Sequence, residues 1–291
     1  MVPAETVSRP SMQSLKSHLR HGGVGPRMHV LVGMTDSTRG TRAGGNREGI
    51  RSGTASFEAV TRQRPHWTSV SIEDLTGPLT PLEQRYAPRH LDVAGPLPLP
   101  LSHPRVSIVG TRTPSDTGRE TARHLAANLA KRGVTIISGL ARGIDTAAHL
   151  GTIEARGNTI AVLGTPLSRH YPPENYDLQY LIMSTQLAVS QFPEGHPVEP
   201  GNFVMRNRTM ALISDATVIV ESGESGGSLH QGWEAIRLGR PLFISRSVMS
   251  NNKLTWPRSM QRYGAVEFQD ATDILDFVPE QTASLTIDGL G

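Results

Sequence analysis

The stretch RVSIVGTRTPSDTGRETARHLAANLAKRGVTIISGLARGID, residues 105–145, decides how this chain folds. It opens on an apolar run, Arg105–Val109, that reads as a buried strand. It turns through Gly110-Thr111-Arg112 and Pro114-Ser115, continues as a helix over Asp116–Arg132 and returns to a strand at Val134–Ser138. Outward from this unit the alternation repeats. Gly143–Ala155, Tyr176–Met183, Phe203–Ile213 and Leu229–Leu238 read as helices, while Thr159–Leu163, Gln186–Ser190, Ala216–Glu221 and Pro241–Ile244 read as strands. A last helix and short strand fall within Ser259–Phe268. Strands alternating with helices of this length predict an α/β fold with a doubly wound, mostly parallel sheet, an extended Rossmann-like architecture whose ligands sit beyond the carboxyl ends of the strands.

Upstream, residues 68–104 carry a short helix at Ser71–Leu75 or Thr80–Tyr86 and then proline-punctuated extended chain. Residues 1–67 are rich in Gly, Arg, Ser and Thr and read as a basic, disordered arm, with 68–278 as the folded domain and 279–291 as a tail. The first 65 residues hold ten Arg or Lys against four acids, a balance of +6, so the total of +3 leaves about −3 for the rest. A polyanion-binding core must therefore gather its cations in one place. The chain of 291 residues has no cysteine, which excludes disulfides and thiolate metal sites, and no apolar run approaches the roughly 20 residues of a membrane span. A soluble, cytoplasmic protein is expected, with no metal, no cofactor and no catalytic residues.

The strand ends carry the polar chemistry. Gly110 lets the backbone approach a phosphate, Thr111 and Ser115 supply hydroxyls, Arg112 supplies a planar fork and the following helix adds partial positive charge. The same turn occurs in proteins for packing alone. Ser138 and Gly139 end the next strand, and Asp145 falls in the first turn of a helix, where capping is its expected role. His149 lies one turn on, within reach of Asp145, and reads as a satisfied inward histidine. Arg206, Asn207 and Arg208 open the helix that begins at Phe203, a position cations avoid unless an anion compensates. Arg206 is the candidate for phosphate, and Arg208 is expected to pair with an acid such as Glu221; a buried, merely structural arginine is the competing reading. The loop Glu221–Ser228 can cradle an anion with Gly226, Gly227 and Ser228, although its two glutamates argue against a polyphosphate. Trp256 reads as a base-stacking candidate and Trp233 as packing.

In order and spacing, Ile108–Arg112, Ser138–Asp145 with His149, Gly157–Gly164, Tyr171-Pro172, Phe203 with Arg206-Asn207-Arg208, and Gly227-Ser228-Leu229 resemble the DNA-processing protein A family, DprA or Smf. The resemblance implies a Rossmann domain that binds single-stranded DNA at its strand ends, loads the RecA recombinase, protects incoming DNA in natural transformation and forms a dimer. It implies a pocket of Gly110, Thr111, Arg112, Ser138, Gly139, Phe203, Arg206, Asn207, Arg208 and Ser228.

The chain departs from the family pattern at His230-Gln231-Gly232-Trp233 and at Ser245–Lys253, both expected on the pocket rim, and no winged-helix domain is expected after Val278. The alternative is a nucleotide sensor or an enzyme similar to the Lonely Guy phosphoribohydrolases, resting on Gly226-Gly227 and Glu234. That motif's Gly-Thr pair is missing from Ser228-Leu229-His230-Gln231. For a dimer, the apolar segment Ala265–Val278 is the candidate surface.

Overall fold

The computed structural model describes residues 65–280. The expected arm, apart from its last three residues, and most of the expected tail lie outside them. Nine strands form one sheet: β1 (Thr68–Val70), β2 (Leu91–Ala94), β3 (Arg105–Val109), β4 (Thr135–Ser138), β5 (Thr159–Leu163), β6 (Leu187–Ser190), β7 (Ala216–Ile219), β8 (Leu242–Ser245) and β9 (Val266–Phe268). Their order is β1-β2-β6-β5-β4-β3-β7-β8-β9, parallel from β6 to β9 and antiparallel where β1 and β2 extend the β6 edge. The fold is the α/β class that the alternation predicts.

Ten helices are assigned among the described residues: α1 (Ile72–Thr76), α2 (Pro81–Gln84), α3 (Asp116–Ala130), α4 (Ile144–Glu154), α5 (Tyr176–Thr185), α6 (Pro200–Leu212), α7 (Gly227–Arg237), α8 (Arg246–Met249), α9 (Trp256–Arg262) and α10 (Thr272–Leu275). Consecutive strand residues join opposite cores, as the period of two requires. Val106, Ile108, Ile136 and Val218 pack with Ala122, Leu125, Leu129 and Ala148 of α3 and α4. Val109, Ile137, Ile160 and Ile219 pack on the other face with Met210, Leu212 and Met260 of α6 and α9.

Several expectations are revised. Both short N-terminal helices form, each closed by a capping box, Ser71 with Asp74 and Thr80 with Glu83. Just ahead of the proline-punctuated stretch a strand that the sequence does not announce, β2, pairs with β6. Helix α6 starts at Pro200 rather than Phe203, and the rim stretch after β8 coils into α8. In the C-terminal segment proposed for a dimer, Phe268, Ala271 and Ile274 are buried in their own core, leaving less apolar surface for a partner.

Chain order places the switch point between β3 and β7. From β3 the chain winds outward through β4, β5 and β6, then crosses back by α6 to β7 on the other side of β3. A crevice opens where two neighbouring crossovers leave in opposite directions.

Candidate functional site

That crevice is a cleft of about 840 Å³, walled by the turn after β3, the N-terminal half of α6 and the glycine-rich loop after β7. A side pocket of about 160 Å³ adjoins it, sharing Arg112, Phe203, Arg206 and Tyr171. Of the residues singled out in the sequence, Gly110, Thr111, Arg112, Phe203, Arg206, Asn207, Gly226, Gly227 and Ser228 line the cleft, and Gly139 lines the side pocket. Ser115, Ser138 and Arg208 do not.

The β3 turn is held by packing. A Cβ on Gly110 would lie 2.5 Å from Cγ1 of Ile144 and 2.6 Å from the Glu221 carbonyl, so the glycine makes room for protein rather than for a ligand. Thr111 N donates to that carbonyl at 2.7 Å, and Thr111 O accepts from Ile144 N at 3.2 Å. Arg112 stands apart. It is exposed, and no carboxylate of the described residues lies within ion-pair distance. Its guanidinium carbon sits 5.8 Å from the centroid of Phe203, whose ring lies 5.2 Å from that of Tyr171. A cation and two aromatic rings therefore meet at one wall, a pairing suited to a phosphate beside a base.

Ser138 is a structural residue. Fully buried, it donates from Oγ to Ile108 O at 2.7 Å, joining β4 to β3. Ser138→Ala is expected to lower stability by about 1 kcal/mol and to leave ligand affinity unchanged; a denaturant melt beside a binding titration checks both. Ser115 is also withdrawn from the cleft. Its Oγ accepts from Gly118 N at 3.0 Å, capping α3, and donates to the Glu221 carboxylate at 2.7 Å. A carboxylate thus occupies the place by the α3 amino end expected for a phosphate.

Arg206 lies in the second turn of α6, not at its opening, so the dipole argument for an anion at this residue does not apply. It is 5% exposed, and Nη1 donates to Gly139 O and, at 2.6 Å, to Val162 O, tying the ends of β4 and β5. Its Nε donates to Asn207 Oδ1 at 2.9 Å, and Asn207 Nδ2 reaches Gly227 O at 2.9 Å. The missing Cβ of Gly139 is filled by this guanidinium, 2.1 Å from where that atom would stand. Burial lowers the Arg206 pKa against the opposing pull of Asp145. Asp145 caps the preceding turn instead of its own helix, accepting from Gly139 N and Ala141 N at 3.2 and 3.3 Å. Burial raises its pKa, with Arg206 and the two amides opposing.

Arg208 points the other way, as a spacing of two along a helix requires. Its partner is Glu234, at 3.4 Å, not Glu221, and it lies 5.3 Å over the Tyr86 ring. His149 bonds Thr159 Oγ1 at 2.8 Å rather than Asp145. Because Thr159 gives its own hydrogen to Ile136 O, Nδ1 carries the histidine proton. Burial lowers the His149 pKa to about 3, so the ring stays neutral at ordinary pH.

Neither glutamate of the β7 loop lines the cleft. Glu224 turns outward to Thr255, accepting from its N at 2.9 Å and from its hydroxyl. The carboxylates that do line the cleft are Asp145 and Glu199. Trp256 is 6% exposed and donates from Nε1 to Gly223 O at 2.9 Å, so it fixes the loop and cannot stack on a base. Trp256→Phe is expected to cost about 1 kcal/mol, read as a lowered melting midpoint. Trp233 packs as expected, edge-on to Tyr263 at 5.4 Å. Tyr171, 40% exposed beyond β5, is part of the family motif but not of the pocket that the sequence implies; its position past a strand end is the signal that could have put it there.

Two helix amino ends face the cleft without a side-chain cap. Glu199 before α6 and Gly226 before α7 make none. At α7 this leaves the Gly227 and Ser228 N–H groups as donors for an anion. Helix α6 instead opens on Pro200, which has no N–H, and Asn202 N is bonded to Glu199 O at 3.1 Å. Among the described residues no three His, Asp or Glu side chains gather as a metal site, and no helix is long and apolar enough to cross a membrane.

A mostly parallel sheet covered by helices, with a cleft at its switch point, defines a Rossmann-like α/β protein. Within that class the chain belongs to the family of DNA recombination-mediator protein A, whose model matches residues 70–279. It is similar to the DNA processing protein DprA of Bacillus subtilis, 31% identical over 182 residues, 62% of this chain and 61% of that one. The protein Smf of Synechocystis is 43% identical over 140 residues, 48% of this chain and 35% of the relative. The chain thus spans about a third to three fifths of the curated relatives' length. The crystal structure of DprA from Streptococcus pneumoniae superposes with a TM-score of 0.62 at 29% identity, covering 72% of this chain and 74% of that one. DNA processing protein A of Helicobacter pylori, described as having a unique single-stranded DNA binding mode, shares the fold with a TM-score of 0.61 at 22% identity, over 73% and 95% of the two chains.

Proposed function

We propose that the cleft binds single-stranded DNA and that residues 68–278 act as the DNA-binding unit of a recombination mediator. The observation that carries this is the guanidinium of Arg112, without an ion-pair partner among the described residues, beside Phe203 and Tyr171 in a cleft that also holds the uncapped amino end of α7. Arg112 holds a phosphate, the rings stack on a neighbouring base, and Gly227 and Ser228 offer backbone donors. Membership of the family and the binding mode described for the H. pylori protein support the same reading. Loading of RecA, protection of incoming DNA and a homodimeric state belong to this proposal through the family resemblance. The phosphoribohydrolase alternative gains nothing from the geometry, since Glu234, the acid it needs, is paired with Arg208 and Arg237.

Fluorescence anisotropy of labelled oligo-dT tests the reading. Arg112→Ala is expected to weaken binding by about tenfold or more, and Phe203→Ala by the about 1–3 kcal/mol of one stacked base. Affinity falls with salt at a slope near −0.7 per neutralised phosphate. Failure of the unaltered protein to bind at low salt sinks the proposal.

A further inference from the structure

Both ends of the turn that carries Arg112 are attached to one residue. The Glu221 carbonyl accepts from Thr111 N at 2.7 Å. Its carboxylate accepts from Ser115 N at 3.0 Å and from Ser115 Oγ at 2.7 Å. Residues 111–115 are thereby slung from the end of β7, and Arg112, which has no ion-pair partner among the described residues, rides on that sling. The carboxylate has a seat because helix α3 has no side chain at Gly118: a Cβ there would fall 1.8 Å from Oε2.

Although Glu221 does not line the cleft, its negative charge is bound to the turn that carries Arg112 and by electrostatics alone opposes anion binding there. Its hydrogen bonds do the opposite if they set the aim of the guanidinium, because a fork of five donors loses its bidentate geometry with small displacements. We propose that Glu221 is a positioning residue for Arg112, fixing the turn through Ser115 so that the guanidinium stands over Phe203 and faces the cleft. This rests on the reading of the cleft as a single-stranded DNA site. Charge and positioning predict opposite signs when the carboxylate is removed.

The test compares oligo-dT affinity for the unaltered protein, Glu221→Ala, Glu221→Gln, Gly118→Ala, Arg112→Ala and Arg112→Ala with Glu221→Ala. Amide hydrogen exchange over residues 111–115 is measured in parallel, without DNA. Glu221→Ala weakens binding about tenfold, the size of one charge-assisted contact mislaid. Glu221→Gln recovers most of it, since the amide oxygen still accepts from Ser115. Gly118→Ala reproduces the loss by displacing the carboxylate, while alanine itself favours the helix, so the variant stays folded. The double variant binds no more weakly than Arg112→Ala, because the second change acts through the first. Exchange over 111–115 quickens in Glu221→Ala and Gly118→Ala. Tighter binding by Glu221→Ala, additive losses in the double variant, or unchanged exchange over 111–115 would overturn the proposal. If the unaltered protein does not bind oligo-dT, the DNA reading fails, and the exchange measurement still decides the role of Glu221.

Discussion

Arg206→Ala lowers the stability of the domain by about 3–5 kcal/mol, the usual consequence of breaking a buried ionic arrangement by removing one partner. The substitution strips Gly139 O and Val162 O of their donor and takes the nearby cation from Asp145, which is 5% exposed. The pH dependence follows in sign. Asp145 already has a pKa raised by burial, and without Arg206 it rises further. A group whose folded pKa is raised contributes most below its unfolded value, near 3.9, and loses that contribution as pH rises through the folded one. The variant is therefore most stable in acid and weakens toward neutral pH. Combining it with Asp145→Asn recovers part of the loss, because no carboxylate is left to bury. Urea melts from about pH 4 to 8 measure all three; a variant within about 1 kcal/mol of the parent would show that the arginine serves the ligand more than the fold.

Asp215→Ala is expected to cost a similar about 3–5 kcal/mol at the opposite, amino end of the strands. Asp215 accepts from Arg105 N at 2.7 Å and bonds His103 at 2.8 Å, with the Arg105 guanidinium 3.6 Å away. Without it Arg105, 2% exposed and with Nε and Nη1 already lacking hydrogen-bond partners, is left a buried cation with no carboxylate at ion-pair distance among the described residues. Burial would raise the Asp215 pKa, but the bond from His103 and the charge of Arg105 outweigh it and hold it below the usual value. A depressed carboxylate contributes above its unfolded pKa and loses that contribution as pH falls through the folded one. The parent protein accordingly loses stability below about pH 4, and Asp215→Ala shows a flatter profile there. Equal slopes in both proteins would remove Asp215 as the cause.

Local pattern made the sheet legible. Strands such as Thr159–Leu163 are short runs of aliphatic and β-branched residues buried on both faces, and helices such as α3 repeat their small or aliphatic residues at the spacing of a turn. Strands β1 and β2 escaped because they are short, β1 is largely exposed, and both are defined by pairing with residues far along the chain. The site was legible to the same depth. Glycines and hydroxyls at strand ends located the cleft, yet which of them face it depends on tertiary partners. Ser138 turned to Ile108, Arg208 to Glu234 and Trp256 to Gly223 through contacts that no local window contains. Sequence placed Glu221 and Glu224 beside the ligand, whereas Ser115 and Thr255 draw both carboxylates out of it.

The uncapped start of α7 has a consequence for how the protein tolerates change. Donors at Gly227 and Ser228 belong to the main chain, so most side-chain replacements leave them in place, and only proline removes one outright. In the proposed reading of the cleft as a DNA site, recognition built this way is insulated from drift in the residues around it. His230, Gln231 and Trp233 can differ from the family pattern one turn downstream while the cleft keeps the hydrogen-bond donors that face it.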